Sequence, residues 1–176
     1  MVGNRSTDRS LQNRSENQVI GTYPTVGCLI LIDKLSFTGI DDLLQAFRPM
    51  IPSSYKAIVP ISRGEAALGN EMHPVLILVQ EVGDKIALQI EFDEDEVESI
   101  RQTTEISVEQ LFMPYVQAAR TLPGVVAVGL GFELSPPGDL QKASLQAAGI
   151  AVLFARDEED KSWSRQQTMP LAGHYA

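Results

Sequence analysis

Five short apolar runs constrain the fold of this chain more than any other feature of its sequence. They are rich in valine, isoleucine and leucine and occupy residues 26–33, 74–81, 85–92, 125–134 and 149–156. Runs of this length are typical of β-strands in a sheet that is covered on at least one face. Because two separate sheets would each be too small for a stable core, we expect all five strands to share one sheet.

Shorter signals complete the expected secondary structure. A sixth strand is expected over 55–61, and Gly83 and Asp84 between two runs indicate a hairpin. Helices are expected to begin near Thr38, near Asp93, at Ser107 and near Asp139. The predicted fold class is α/β (α+β): a single domain with a mixed β-sheet of about five to six strands, covered by two to three helices. In the strand over 85–92, apolar and polar residues alternate, which predicts that one of its faces is exposed.

The N-terminus differs in composition from the rest of the chain. Residues 1–20 contain few groups that could be buried, so we expect them to form a flexible polar tail. The remaining residues, 21–176, are expected to form one domain, because their number is close to the common size of a domain.

Charge and composition exclude several classes of function. The chain has 23 acidic and 14 basic residues, a net charge of −9. A protein so acidic repels phosphate backbones and anionic lipids, so we expect neither a nucleic acid nor a membrane as partner. No apolar run approaches the roughly 18 residues of a membrane span, and no signal peptide is recognisable. The single cysteine, Cys28, cannot form an internal disulfide, so a cytoplasmic location is predicted.

Acidic residues are concentrated in two runs. The first comprises Glu91, Asp93, Glu94, Asp95, Glu96 and Glu98; the second comprises Asp157, Glu158, Glu159 and Asp160. Three hypotheses compete for the first run: a solvated helix N-terminus, a patch for a basic partner, and a loose divalent cation site. If both runs lie at the same edge of the sheet, they form one patch. The function favoured is an acidic protein-interaction module that binds a basic protein partner, as an inhibitor, an immunity-like protein or an assembly subunit.

An alternative site lies in residues 62–73, which are expected to form a loop between two strands. Loops carry binding and catalytic residues more often than strands do. Arg63 can hold an anionic group through two hydrogen bonds, Glu65 can act as a base, and His73 follows nearby. The alternative function is therefore a small enzyme or ligand-binding domain with its site in this loop.

Other motifs favour structural roles. Gly129 and Gly131 lie inside an apolar run, where glycine permits close packing and does not form a phosphate loop. Cys28 is expected to be buried and unreactive. Two histidines, His73 and His174, are too few for a zinc site. No catalytic residue is assigned, no cofactor or metal ion is expected, and a binding protein is favoured over an enzyme.

Overall fold

A computed structural model describes residues 24–51 and 61–171, which form one domain. Its strands are β1 (Thr25–Asp33), β2 (Ile61–Leu68), β3 (Glu71–Val82), β4 (Lys85–Asp93), β5 (Val125–Phe132), β6 (Ile150–Arg156) and β7 (Trp163–Gln167). Its α-helices are α1 (Ile40–Gln45), α2 (Glu94–Thr104), α3 (Val108–Arg120) and α4 (Lys142–Ala147). The predicted single α/β domain is therefore confirmed for these residues. The predicted tail, and residues 55–60 of the predicted sixth strand, lie outside the described residues.

All seven strands belong to one sheet, in the order β2-β3-β4-β1-β5-β6-β7. The five predicted apolar strands are all present in it, and two more strands, β2 and β7, form its edges. Each neighbouring pair is antiparallel, whereas the sequence predicted a mixed sheet. The reason is the position of β1. The connection through α2 and α3 joins two strands that run in the same direction, β4 and β5, but β1 lies between them and opposes both.

The sheet buries residues on both faces, because its central strands carry apolar side chains on both faces. On one face Cys28 and Ile30 pack against a core supplied by α1, α2 and α3, which includes Phe112 and Tyr115. On the other face Leu29 and Leu31 pack beneath the chain segment 133–149, which contains α4. Successive residues of a strand point to opposite faces, so the unbroken apolar run of β1 corresponds to two separate clusters.

Strand β4 is buried on both faces, so the prediction that one of its faces is exposed was wrong. Ala87, Gln89 and Glu91 are all buried, although their alternation with apolar residues is typical of a half-exposed strand. Segment 133–149 covers this face, and the side-chain amide of Gln89 donates a hydrogen bond of 2.8 Å to the carbonyl of Leu134. The polar residues are therefore satisfied from within the protein.

Residues 62–73 do not form the predicted loop. They belong to β2 and to the beginning of β3, which form an antiparallel hairpin with Leu68 opposite Glu71. Gly69 lies in the turn with φ of +64°, a conformation that glycine adopts more readily than other residues. The polar side chains of this hairpin resemble those of a loop because β2 is an edge strand with an exposed face.

Two helix N-termini were predicted correctly from short polar motifs. The Asp93 side chain accepts a hydrogen bond from the amide of Asp95 and caps α2. Ser107 and Gln110 form a reciprocal capping box at the beginning of α3. Because α2 begins where β4 ends, the caps fix the acidic residues at one end of the sheet.

Candidate functional site

Strands β3 and β4 separate at this end of the sheet. Their pairing ends with Leu76 opposite Glu91, although β4 continues beside β1 as far as Asp93 opposite Thr25. The first part of β3 pairs with β2. If the register continued, Pro74 would lie opposite Asp93, and proline has no amide hydrogen to donate to a strand ladder. The two strands therefore diverge and leave a gap.

A pocket of about 280 Å³ occupies this gap, and we call it the splay pocket. Its lining is mostly hydrocarbon, with a few polar groups. The lining residues are Thr25, Arg63, Gly64, Pro74, Val75, Leu76, Glu91, Phe92, Asp93 and Glu96. A small cavity with an apolar wall and a few charged groups has the usual composition of a small-molecule site.

Glu91 is the most deeply buried carboxyl of the splay pocket, with 7% of the residue exposed. The hydroxyl of Thr25 donates to its Oε1 at 3.3 Å. Burial raises the pKa of Glu91 above its ordinary value, and the nearby charge of Glu133 acts in the same direction. Hydrogen bonds from Thr25 and from the backbone of Leu134 oppose this rise in pKa. The pocket therefore contains a carboxyl that holds its proton to a higher pH than an exposed glutamate does.

Two further carboxylates come from the beginning of α2. Asp93 is partly buried, and its oxygen accepts the capping hydrogen bond from the amide of Asp95. Glu96 lies one turn further along, with 39% of its side chain exposed. Since both side chains line the splay pocket together with Glu91, three carboxylates face one small cavity.

His73 lies beside this group, between two carboxylates. Its Nδ1 is 3.5 Å from Oε2 of Glu96, and its Nε2 is 3.8 Å from Oε2 of Glu71. Its side chain is 14% exposed, whereas that of Glu71 is 80% exposed. Within the described residues, neither Nε2 of His73 nor Oε2 of Glu96 forms a hydrogen bond, although both atoms are buried. The ring therefore contacts the acidic group without a well-formed hydrogen bond.

The rest of the first acidic run is not an open surface. Glu94 and Glu98 are buried, with 4% and 8% of each residue exposed. Glu98 accepts two hydrogen bonds from Arg101, at 2.9 and 2.6 Å, and this interaction lowers the pKa of its carboxyl. A continuous exposed patch from Glu91 to Glu98 is therefore excluded, because the first turns of α2 pack against the sheet.

The two acidic runs lie at opposite ends of the sheet. Strands β4 and β6 run in opposite directions, since β4 opposes β1, β1 opposes β5 and β5 opposes β6. Their C-terminal ends are consequently separated by the length of a strand, about 20 Å. In the second run, Asp157 accepts hydrogen bonds from the amides of Glu159 and Asp160, and thereby stabilises the turn before β7. The possibility of one merged patch is excluded.

The structure joins parts of both predicted sites. Arg63 of β2 lines the splay pocket together with Glu91, Asp93 and Glu96 of the acidic run. Glu65 is exposed on the same strand and does not line the pocket. From the sequence these groups were expected in two separate sites, because Arg63 was expected in a loop.

The apolar wall of the pocket was not anticipated. Pro74, Val75, Leu76 and Phe92 belong to strands that were predicted correctly, but their role as a pocket wall depends on where pairing ends. Pro74 inside a strand was the available signal, because proline interrupts the ladder.

The structural predictions for the glycines and for Cys28 are confirmed. Gly131 lies inside β5, where an added Cβ would collide with the carbonyl oxygen of Gly149. Cys28 is fully buried in β1, and burial raises the pKa of its thiol. His174 lies outside the described residues. Among residues 24–51 and 61–171, no cluster of three or more histidine, cysteine or acidic side chains is arranged to hold a metal ion.

Comparison with protein-family models, with curated proteins and with solved structures gave no match to this chain. Among the described residues, no helix combines the length and apolar character needed to cross a membrane. Inferences about function therefore depend on the splay pocket itself.

Proposed function

We propose that the protein is a binding domain whose splay pocket takes up a positively charged organic group on an apolar stem. The group is an ammonium or a guanidinium. The observation that supports this proposal is the composition of the pocket, in which three carboxylates line a space whose other walls are largely hydrocarbon.

The two kinds of lining have complementary effects on such a ligand. Carboxylates form charge-assisted hydrogen bonds with ammonium and guanidinium groups, and these are stronger than bonds between neutral groups. The hydrocarbon of Val75, Leu76 and Phe92 restricts water in the pocket, which strengthens the attraction between charges. It also gives an apolar stem a surface to cover, which stabilises the complex by about 25 cal/mol per Å² of apolar surface buried.

A cation of this kind has two possible sources: a free small molecule, or a lysine or arginine side chain of a basic protein. The second source corresponds to the partner predicted from the sequence. Glu71 is exposed at the same end of the sheet and adds negative charge near the pocket. Such a charge would steer a basic protein toward the pocket and raise its association rate.

Filling the pocket tests the proposed location. Leu76→Trp places a bulky ring in the pocket, and Leu78→Trp is the matched control, because Leu78 lies two residues further on the same face of β3 and outside the pocket. Butylammonium is titrated into the isotope-labelled full chain, and its binding is followed through the amide chemical shifts of the protein. We expect saturable shifts at residues lining the pocket in the wild type and in Leu78→Trp, and none in Leu76→Trp. Shifts that are absent from the wild type, or unchanged in Leu76→Trp, contradict the proposal.

Removing one charge tests the role of the carboxylates. Glu96→Gln removes a pocket carboxylate, whereas Glu71→Gln removes an equal charge that also contacts His73 but lies outside the pocket. We expect Glu96→Gln to weaken butylammonium binding about tenfold, as for the loss of one charge-assisted hydrogen bond. Glu71→Gln should change it less than about twofold. Equal effects of the two variants would show that binding reflects net charge alone.

A lysine-containing peptide separates the two sources. If the natural ligand is a protein, the peptide binds more tightly than butylammonium. Glu71→Gln then weakens the binding of the peptide but not that of butylammonium, because it removes a charge outside the pocket. If the natural ligand is a small molecule, peptide and amine bind with similar affinity and respond alike to both variants. Failure of both probes to bind contradicts the proposed function.

A further inference from the structure

Arg63 and Glu91 lie on opposite walls of the splay pocket. Arg63 pairs with Leu76, and Leu76 pairs with Glu91, so these residues form one row across β2, β3 and β4. Residues directly opposite each other on antiparallel strands have side chains on the same face. Neighbouring strands are about 4.8 Å apart, so the backbones of Arg63 and Glu91 are separated by roughly 10 Å. Leu76 lies between the wall that carries Arg63 and the wall that carries Glu91.

The charges on the two walls do not neutralise each other. Arg63 is exposed, and within the described residues it forms no ion pair with any carboxylate, although three carboxylates line the same pocket. Glu91 accepts its hydrogen bond from Thr25, and Asp93 caps α2. A ligand with charge of one sign would therefore meet a like charge on one of the walls.

We infer that the natural ligand is a small zwitterion with a short hydrocarbon segment between its two charged groups. Its ammonium contacts the carboxylates of the splay pocket, its carboxylate contacts Arg63, and its hydrocarbon lies on Leu76. This inference depends on the proposed function and defines the ligand class more narrowly: amino acids whose amino and carboxyl groups are at opposite ends of the chain. Arginine suits the second contact because its guanidinium binds a carboxylate through two parallel hydrogen bonds.

Three probes with five carbon atoms each test the inference on the full chain: 5-aminopentanoate, pentylammonium and pentanoate. We expect 5-aminopentanoate to bind about fivefold more tightly than pentylammonium, as for one additional exposed ion pair, and pentanoate to bind most weakly. In Arg63→Gln we expect 5-aminopentanoate and pentylammonium to bind with equal affinity. The affinity for pentylammonium itself should not fall below that of the wild type. Arg48→Gln is the control, because Arg48 is exposed and lies outside the pocket.

The outcomes separate this inference from the proposed function. If pentylammonium binds but 5-aminopentanoate binds no more tightly, or if Arg63→Gln and Arg48→Gln behave alike, the inference of a zwitterionic ligand is wrong. The proposed binding of a cation then stands. If neither pentylammonium nor 5-aminopentanoate binds, both the inference and the proposed function are wrong. Arg63 is exposed on an edge strand, so its replacement does not threaten folding, and the amide spectrum of each variant verifies this.

Discussion

Glu91 of β4 lies directly opposite Gly27 of β1 in the register of the sheet. Gly27 in turn lies opposite Gly131 of β5, so two positions beside Glu91 carry no side chain. The backbone of Leu134 approaches the carboxyl from the segment that covers this face. The carboxyl is therefore buried against backbone and Thr25, with no cationic partner among the described residues, and this explains why burial raises its pKa.

The first prediction concerns the pH dependence of stability at Glu91. Its pKa is raised above the ordinary value of 4.5, so between 4.5 and the folded-state pKa the folded protein binds more protons than the unfolded chain. The contribution of Glu91 to stability therefore falls as pH rises through this window. Glu91→Gln removes the titration. We therefore expect the free energy of unfolding of this variant to increase relative to that of the wild type as pH rises. Urea unfolding across a pH series measures this, and parallel curves for the two proteins would contradict it.

The second prediction has the opposite sign and concerns Glu109 of α3. Arg165 of β7 donates to both of its oxygens, at 2.7 and 2.8 Å, and this ion pair lowers the pKa of Glu109 below its ordinary value of 4.5. The resulting stability is present above pH 4.5 and is lost as pH falls through the lowered pKa. Because Arg165 is 42% exposed, we expect Glu109→Gln to cost no more than about 1 kcal/mol at neutral pH.

Hydrogen exchange provides a second measurement of the same ion pair. Glu109→Gln should reduce amide protection in β7 more than in β1, because the ion pair joins an edge strand to α3. The control is Glu158→Gln, an equal charge change in the exposed turn before β7. Equal loss of protection in the two variants would show that the ion pair does not hold β7 in place.

The third prediction concerns the close approach of β5 and β6. A Cβ added at Gly131 would collide with the carbonyl oxygen of Gly149, which is backbone and cannot move aside. We expect Gly131→Ala to lower the free energy of unfolding by about 3 kcal/mol, at the upper end for overpacked sites. Gly138→Ala is the control, because nothing lies within 4 Å of its added Cβ. Similar stability of the two variants would contradict the close approach of Gly131 to the backbone of Gly149.

The apolar strands could be predicted from the sequence, whereas the edges of the sheet could not. β1 and β6 are apolar at nearly every position, and such runs are stable only inside a covered sheet. β2 and β7 carry polar side chains, since edge strands need few buried residues, and they resemble loops in sequence. β4 was correctly predicted as a strand, but the prediction that one of its faces is exposed was wrong. Gln89 and Glu91 on that face are covered by a segment more than 40 residues away in the sequence.

The splay pocket was predictable only in its parts. Arg63 and the acidic run were each singled out for their charge, but 27 residues separate Arg63 from Glu91 in the sequence. The register of β2 on β3 and of β3 on β4 brings them to one cavity. Each register is fixed by a two-residue turn, at Gly69 and at Gly83. The first turn was not predicted, because residues 62–73 were expected to form a loop, and the gap itself depends on the point where Pro74 ends the pairing of β3 with β4.

The last prediction concerns Arg120, which lies in the last turn of α3 between two aromatic rings. Its guanidinium carbon is 5.0 Å from the ring centre of Phe154 and 5.2 Å from that of Trp163. Its Nε is buried and has no hydrogen-bond acceptor among the described residues, so the aromatic faces are the main contacts of the charge. A cation over an aromatic ring contributes about 0.5–2 kcal/mol, depending on exposure.

Arg120→Met keeps an unbranched side chain and removes the cation. Since removing a buried donor without an acceptor also relieves a cost, the net change in stability does not isolate the contact with the rings. A double-mutant cycle with Trp163→Leu does isolate it, and we expect a coupling energy of about 1 kcal/mol between the two sites. Trp163 is the single tryptophan of the chain, so its fluorescence should also change in Arg120→Met and stay unchanged in the control Arg48→Met. A coupling energy near zero would mean that Arg120 and Trp163 are neighbours that do not stabilise each other.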